Sequence, residues 1–194
     1  MVERGLVEGL SSAQGLIMAG KVYSGEKKLE KAGLQISEEA ALEVRGQDHP
    51  WVSRGGLKLT HGLAEFNLST KDCICMDVGS STGGFTDVML QNGASRVYAV
   101  DVGRGQLAWK LRSDDRVVVL EKTNARHLTS EIIPDPLDFI SCDASFIGLK
   151  TLLPASLELA QPGAHLLSLI KPQFEVARHE VGEKGVVRDP ELHK

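Results

Sequence analysis

Asp77, Asp101, Asn124, Asp143 and Lys171 share one kind of position: each stands at or a few residues past the end of an apolar run, in "CICMDV", "RVYAV", "VVVL", "LDFISC" and "HLLSLI". Nearly continuous apolar runs of this length read as strands covered on both faces, which a parallel sheet between helices requires. The ends of such strands lie on one edge, so these polar groups converge there, where open α/β sheets take their ligands. Lys58, just before the first of these runs, is a further polar group that a core does not call for.

The stretch "DVGSSTGGF", residues 77–85, joins the first strand to a helix. A phosphate-cradling loop needs Gly-Lys-Ser/Thr where Gly83, Gly84 and Phe85 stand, and a dinucleotide fingerprint needs glycine in place of Ser81. Asp77 instead offers a carboxylate to an ammonium group, while backbone N–H groups at the helix start can meet a carboxylate. That is the complement of an amino acid zwitterion. Asp101, 22 residues after Gly79, is placed to take both hydroxyls of a ribose, and Asn124 to contact an adenine edge. An amino acid joined to a nucleoside describes S-adenosylmethionine, and the spacing is that of class I methyltransferases. The expected cofactor contacts are Asp77, Gly79, Ser80, Gly83, Gly84, Phe85, Asp101 and Asn124. A tight strand-to-helix turn without ligand, or a redox dehydrogenase, are the alternatives.

The elements that must position these groups follow from pattern. Strands are expected at 73–78, 96–101, 117–120, 137–142 and 164–170, with helices near 84–92, 105–111 and 147–159, which makes a doubly wound sheet. Leu59, Leu63 and Phe66 recur at helical spacing and predict a helix from Leu57 to about Phe66. Ahead of it, "DHPWVSRGG" reads as a linker, so the division is 1–48, linker 49–58 and 59–194. In the front part, Ser11 with Gln14 predicts a capping-box helix ending at Gly20; "KVYSGEKKL" alternates around a Ser24–Gly25 turn and "AALEVRG" adds a short strand. Asp189, Pro190 and Glu191 read as the start of another helix at the end of the sequence, so a C-terminally truncated sheet is expected.

Composition sets bounds. The 194 residues with 42% apolar content support one domain and a small appendage. No run long enough to span a membrane and no signal-like start occurs, so a soluble, cytoplasmic protein with no membrane partner is expected. Cys73, Cys75 and Cys142 sit in apolar runs without metal-ligand spacing, which fits small buried side chains, and no metal is expected. The net charge of −4 hides a balanced front section in which Lys21, Lys27, Lys28 and Lys31 cluster and Arg54 follows, either a solvated surface or a nucleic-acid contact.

Taken with "SRGGLKL", "DVGSSTGGFTD", "CDASFI" and "IKPQFE", the chain resembles the TlyA, or hemolysin A, family over essentially its whole length, and that family is similar in turn to FtsJ-like RNA ribose methyltransferases. The resemblance implies a Rossmann-like, S-adenosylmethionine-dependent α/β domain preceded by a small α+β S-four-type RNA-binding domain with Lys21, Lys27, Lys28 and Arg54 on RNA. It implies 2'-O-methylation of ribosomal RNA, with cytidine as target and ribosomal RNA or ribosomal subunits as partners. Lys58, Asp143 and Lys171 would be the first three members of a Lys-Asp-Lys-Glu tetrad. The Glu belongs past Lys194, Glu175 is not at its place, and the 194-residue piece alone is expected to be poorly active. Under this reading Lys171 is the proton acceptor or oxyanion stabiliser, Asp143 orients it, and Lys58 holds the ribose or an adjacent phosphate. The plain alternatives are helix capping for Asp143, an exposed strand end for Lys171 and a surface lysine for Lys58. An RNA-binding protein with a degenerate methyltransferase fold is the rival function, and a pore former lacks the amphipathic segment it needs.

Overall fold

The structure, a computed structural model, describes all residues except Gly5, Glu8, Glu38, Gln47, Asp48 and Lys194. The chain divides into two compact units, Met1–Pro50 and Trp51–Lys194.

In the first unit, α1 (Leu10–Met18) starts from Gly9, whose extended backbone accepts the Ala13 N–H, so the helix begins ahead of Ser11. Ser11 therefore lies inside the first turn and is not the expected cap. The other end is as expected: Gly20 adopts φ +66° and the Lys21 and Gly20 N–H groups close onto Leu16 and Ile17 carbonyls, a Schellman motif. β1 (Val22–Ser24) pairs with β2 (Lys27–Lys28) around a Gly25–Glu26 loop, one residue later than read from sequence, and with β3 (Glu43–Val44) on its other side. Val22, Ala13 and Leu29 are buried, and the Arg45 guanidinium lies 4.5 Å over the Tyr23 ring.

The second unit holds a five-stranded, all-parallel sheet built from β4 (Ile74–Val78), β5 (Arg96–Val100), β6 (Val117–Leu120), β7 (Leu137–Cys142) and β8 (Ala160–Ser168), in the order β6-β5-β4-β7-β8. The strand order reverses between β4 and β7, and the carboxyl ends on either side of that point leave a crevice. Period-two alternation sends Cys75, Val97, Ala99 and Phe139 to one face, where they pack on α2 (Gly55–Glu65) and α3 (Gly84–Gln91) through Leu59, Leu63, Val88 and Met89. Met76, Val78, Val100 and Ile140 pack on the other face against Leu152 and Leu153. This is the doubly wound α/β sheet expected from sequence.

Several expectations shift. The linker 49–58 is not free chain past Pro50: Trp51 and Val52 pack into the second unit's core and α2 starts at Gly55; Asp48, which opens the stretch "DHPWVSRGG", lies outside the described residues. The helix expected at 105–111 is only α4 (Trp109–Arg112), because 101–108 is a loop with Gly105 at φ +67°. The helix at 147–159 is two short ones, α5 (Leu149–Leu152) and α6 (Pro154–Leu157), since Pro154 has no N–H to continue the first. β8 begins four residues early and bends at Gly163, φ +89°, with its register to β7 shifting between Leu137 and Phe139. Past β8, α7 (Pro172–Glu175) follows Lys171, and Asp189 caps a short 3-10 turn at Pro190–His193. Cys75 and Cys142 are buried, with burial pushing their thiols up, whereas Cys73 is half-buried. Among the described residues no helix is long and apolar enough to cross a membrane.

Candidate active site

The glycine turn after β4 is built by two requirements. Gly79 and Ser80 both donate to the Val100 carbonyl, at 2.9 and 3.1 Å, which folds the chain back over the sheet edge with Gly79 at φ +81°. A Cβ there would lie 3.0 Å from the Ala144 Cα, so the β7 loop packs where only glycine fits. Gly83, at φ +96°, then starts α3, and Phe85 is buried beneath it.

Asp77 is 1% exposed and faces inward. Its Oδ2 accepts the Thr86 N–H at 2.9 Å and the Thr86 hydroxyl at 2.7 Å, and Oδ1 takes the Ser141 hydroxyl at 3.3 Å. Burial pushes its pKa up to about 6; the Thr86 bonds oppose that shift and the Asp143 charge adds to it. The sequence suggests this carboxylate for an ammonium group, and in the fold one of its oxygens is committed to α3. What it can offer an ammonium is Oδ1, on the wall of a cavity of about 290 Å³ that also holds Ser80, Lys58, Asp143 and Lys171.

A second cavity, about 460 Å³, shares Gly79, Ser81, Asp143 and Ser145 with the first and runs toward β5 and β6. Asp101 lies on it with its oxygens holding the Ser81 and Gly103 N–H groups, at 2.8 and 2.7 Å, and each oxygen keeps a further lone pair for a hydroxyl. Asn124 lies there too, but its Oδ1 caps the Arg126 backbone at 3.1 Å, which leaves its amide N–H₂ for a base edge. Val102, Phe146 and Ile147 supply apolar wall, and Phe146 is 90% exposed with a left-handed φ of +68°. A polar compartment joined to a cleft lined by an acid, an amide and apolar walls suits an amino acid joined to a nucleoside, as S-adenosylmethionine is.

The two compartments meet at Asp143. Lys58 Nζ, reaching in from α2, lies 2.8 Å from Oδ2, and Lys171 Nζ lies 2.7 Å from Oδ1. Lys171 also donates to the Asp143 and Ala144 carbonyls at 3.0 and 2.9 Å and to the Ser145 hydroxyl at 2.9 Å. Four oxygens thus surround an amine with three N–H bonds, and Oδ1 touches it without a hydrogen bond of its own. The three groups expected from sequence are brought together. Missed were Thr86 and Ser141, which hold Asp77, and Ser53 and Ser81, which line the first cavity. Ser145 and Phe146 lay in plain view in "CDASFI", but nothing in their type announces a role.

The expected RNA contacts are distributed over both units. Lys21 donates to the Gly46 carbonyl at 2.8 Å, Lys27 is exposed on β2, and Lys28 lies 3.7 Å from Glu30. Arg54 is exposed in the second unit, one turn before Lys58 at the start of α2. Among the described residues no group of three or more His, Cys, Asp or Glu could hold a metal ion.

The FtsJ-like methyltransferase family matches residues 51–194. The chain is 53% identical over 194 residues to YqxC of Bacillus subtilis, spanning all of this chain and 69% of that protein. It is 48% identical over 193 residues to the 16S/23S rRNA (cytidine-2'-O)-methyltransferase TlyA of Mycobacterium tuberculosis, covering 99% of this chain and 72% of that one. A solved structure from Streptococcus thermophilus that carries a hemolysin name superposes with a TM-score of 0.74 at 45% identity, over 98% of this chain and 70% of that chain.

Proposed function

Because the chain belongs to the FtsJ-like methyltransferase family, we propose that it transfers the methyl group of S-adenosylmethionine to the 2'-hydroxyl of a cytidine in ribosomal RNA. The observation that carries this reading is the Asp143 carboxylate held between two amines, at 2.8 and 2.7 Å, where the two cavities join. A cysteine or metal is not needed there, because a ribose hydroxyl becomes a sufficient nucleophile once it is held in line and its proton is managed.

The cofactor, when bound, supplies an electrophilic methyl on a sulfonium sulfur. Asp77 Oδ1 and the N–H groups at the start of α3 hold its amino acid end, Asp101 takes the ribose hydroxyls, and Asn124 donates to the adenine. Gly79, Ser80, Gly83, Gly84 and Phe85 shape the turn that permits this approach. Lys58 and Lys171 flank the attacking oxygen. All three N–H bonds of Lys171 are already donated, which favours a role as a fixed positive charge acting through space on the developing oxyanion, with the hydroxyl proton passing to solvent at the cavity mouth, over that of proton acceptor. Asp143 keeps both amines at their stations, and Lys58, 50% exposed against 18% for Lys171, holds the ribose or its phosphate at the mouth.

The first unit serves as the S-four-type RNA-binding domain, with Lys21, Lys27 and Lys28 on phosphate; in the second unit, Arg54 is a separate RNA contact. The protein acts in the cytoplasm on ribosomes or their subunits. Primer extension at limiting nucleotide, on ribosomal RNA from cells with and without the gene, tests the proposal: a stop at a cytidine that vanishes without the gene supports it. Identical stops in both, with S-adenosylmethionine bound by the purified protein, favour an RNA-binding protein with a degenerate site.

A further inference from the structure

Asp87 is 2% exposed and has no place in the site described so far. It lies one turn into α3, and its carboxylate is divided among three parts of the fold. Oδ2 accepts the Val52 N–H at 2.8 Å and meets Lys110 Nζ at 3.0 Å; Oδ1 accepts from the Gln91 amide at 2.9 Å. Gln91 and Lys110 satisfy the charge. Val52 is different, because it belongs to the segment that feeds the helix carrying Lys58.

That segment is held at close quarters. A Cβ on Gly56 would fall 2.5 Å from the Trp51 ring, and one on Gly84 would fall 2.3 Å from Ser53 Oγ and 2.9 Å from the Gly56 nitrogen. The beginning of α2 therefore rests directly on the beginning of α3, through glycines that leave no side chain between them. Arg54, at the cap position of α2, makes no side-chain capping bond. The Val52–Asp87 bond is thus the polar fastening of the incoming backbone. Its registry matters, since sliding a helix by one residue turns each side chain by about 100° and would carry Lys58 off Asp143.

We propose that Asp87 is a positioning residue for methyl transfer: by holding the Val52 N–H it fixes the start of α2 and so sets Lys58 against Asp143. This rests on the reading of Lys58 as part of the active site. The test is a double-mutant cycle in the full-length protein with Asp87→Leu, Lys58→Ala and both together. Single-turnover methyl transfer is measured at saturating RNA and cofactor, beside S-adenosylmethionine affinity by calorimetry. Asp87→Leu removes the acceptor while keeping the branched shape of the side chain, and is expected to slow transfer on the order of 10-fold, no more than Lys58→Ala does, with cofactor affinity unchanged. Asp87→Asn keeps an oxygen for Val52 and is expected to retain most of the rate. In the Lys58→Ala background, Asp87→Leu is expected to add nothing. Losses that multiply, or full speed in Asp87→Leu, would overturn the inference. If Asp87→Leu binds no cofactor, the same cycle is run with Asp87→Ser, whose hydroxyl is too short to span the gap. A Lys58→Ala protein as fast as wild type would instead overturn the proposed function, and this inference with it.

Discussion

Lys171 meets Asp143 twice, through the carboxylate at 2.7 Å and through the backbone carbonyl at 3.0 Å, so its amine is fixed by the strand end as well as by the side chain. The Ala144 carbonyl and the Ser145 hydroxyl complete the cage. Removing Lys171 accordingly takes away the most firmly held charge at the proposed reacting centre. Lys171→Ala is expected to lower the single-turnover rate on the order of 100- to 1,000-fold, as loss of a preorganised electrostatic group does in other enzymes. Lys171→Arg is expected to do little better, because a planar guanidinium cannot place its donors on this cage. Lys58→Ala, losing a more exposed amine, is expected to cost less. Quench-flow transfer of labelled methyl ranks the three.

Asp77 makes the site sensitive to pH. Its buried carboxyl titrates at about 6 in the folded protein, against about 3.9 in an unfolded chain. Between those values the folded state binds more protons than the unfolded one, so this group's contribution to stability falls as pH rises from about 4 to about 6 and then levels off. Only the carboxylate can pair with the cofactor's ammonium, so affinity for S-adenosylmethionine is expected to weaken as pH drops below about 6. Calorimetry between acid and neutral pH reads the second effect. Asp77→Asn is expected to abolish that titration and to flatten the stability profile in urea melts.

Gly83 has a steric role. A Cβ there would fall 2.3 Å from Leu111 Cδ1 and 2.8 Å from Leu107 Cδ1, at a φ of +96°. Gly83→Ala is expected to destabilise the second unit by about 1–3 kcal/mol. Thermal melts should show a lowered Tm.

How much of this was legible beforehand differs from residue to residue. The strands and their polar ends could be read because continuous apolar runs are a local signal, and Asp143 and Lys171 stand out at run ends for the same reason. The packing of Trp51 on Gly56 and of Ser53 on Gly84 could not, since both depend on where α2 lands against α3. Asp77 was noticed but only half understood: a carboxylate at a strand end looks the same in sequence whether it faces a ligand or, as here, a threonine of the next helix. The short α4 reflects the 101–108 loop, where Asp101 binds Gly103 and competes with helical bonding.

Asp101 gives a prediction independent of the lysines. Asp101→Ala removes the acid expected to hold the ribose hydroxyls and should weaken S-adenosylmethionine binding about 10- to 100-fold, the cost of a charged hydrogen-bonding partner. Calorimetry at neutral pH checks it, and an affinity equal to wild type would remove Asp101 from the cofactor site.

Nucleoside mass spectrometry of ribosomal RNA methylated in vitro by the full-length protein, wild type beside Lys171→Ala, bears most directly on the central claim. The account predicts one new 2'-O-methylcytidine with the wild type and almost none with the variant. A methyl group found on a base, or equal 2'-O-methylcytidine from both proteins, would contradict it.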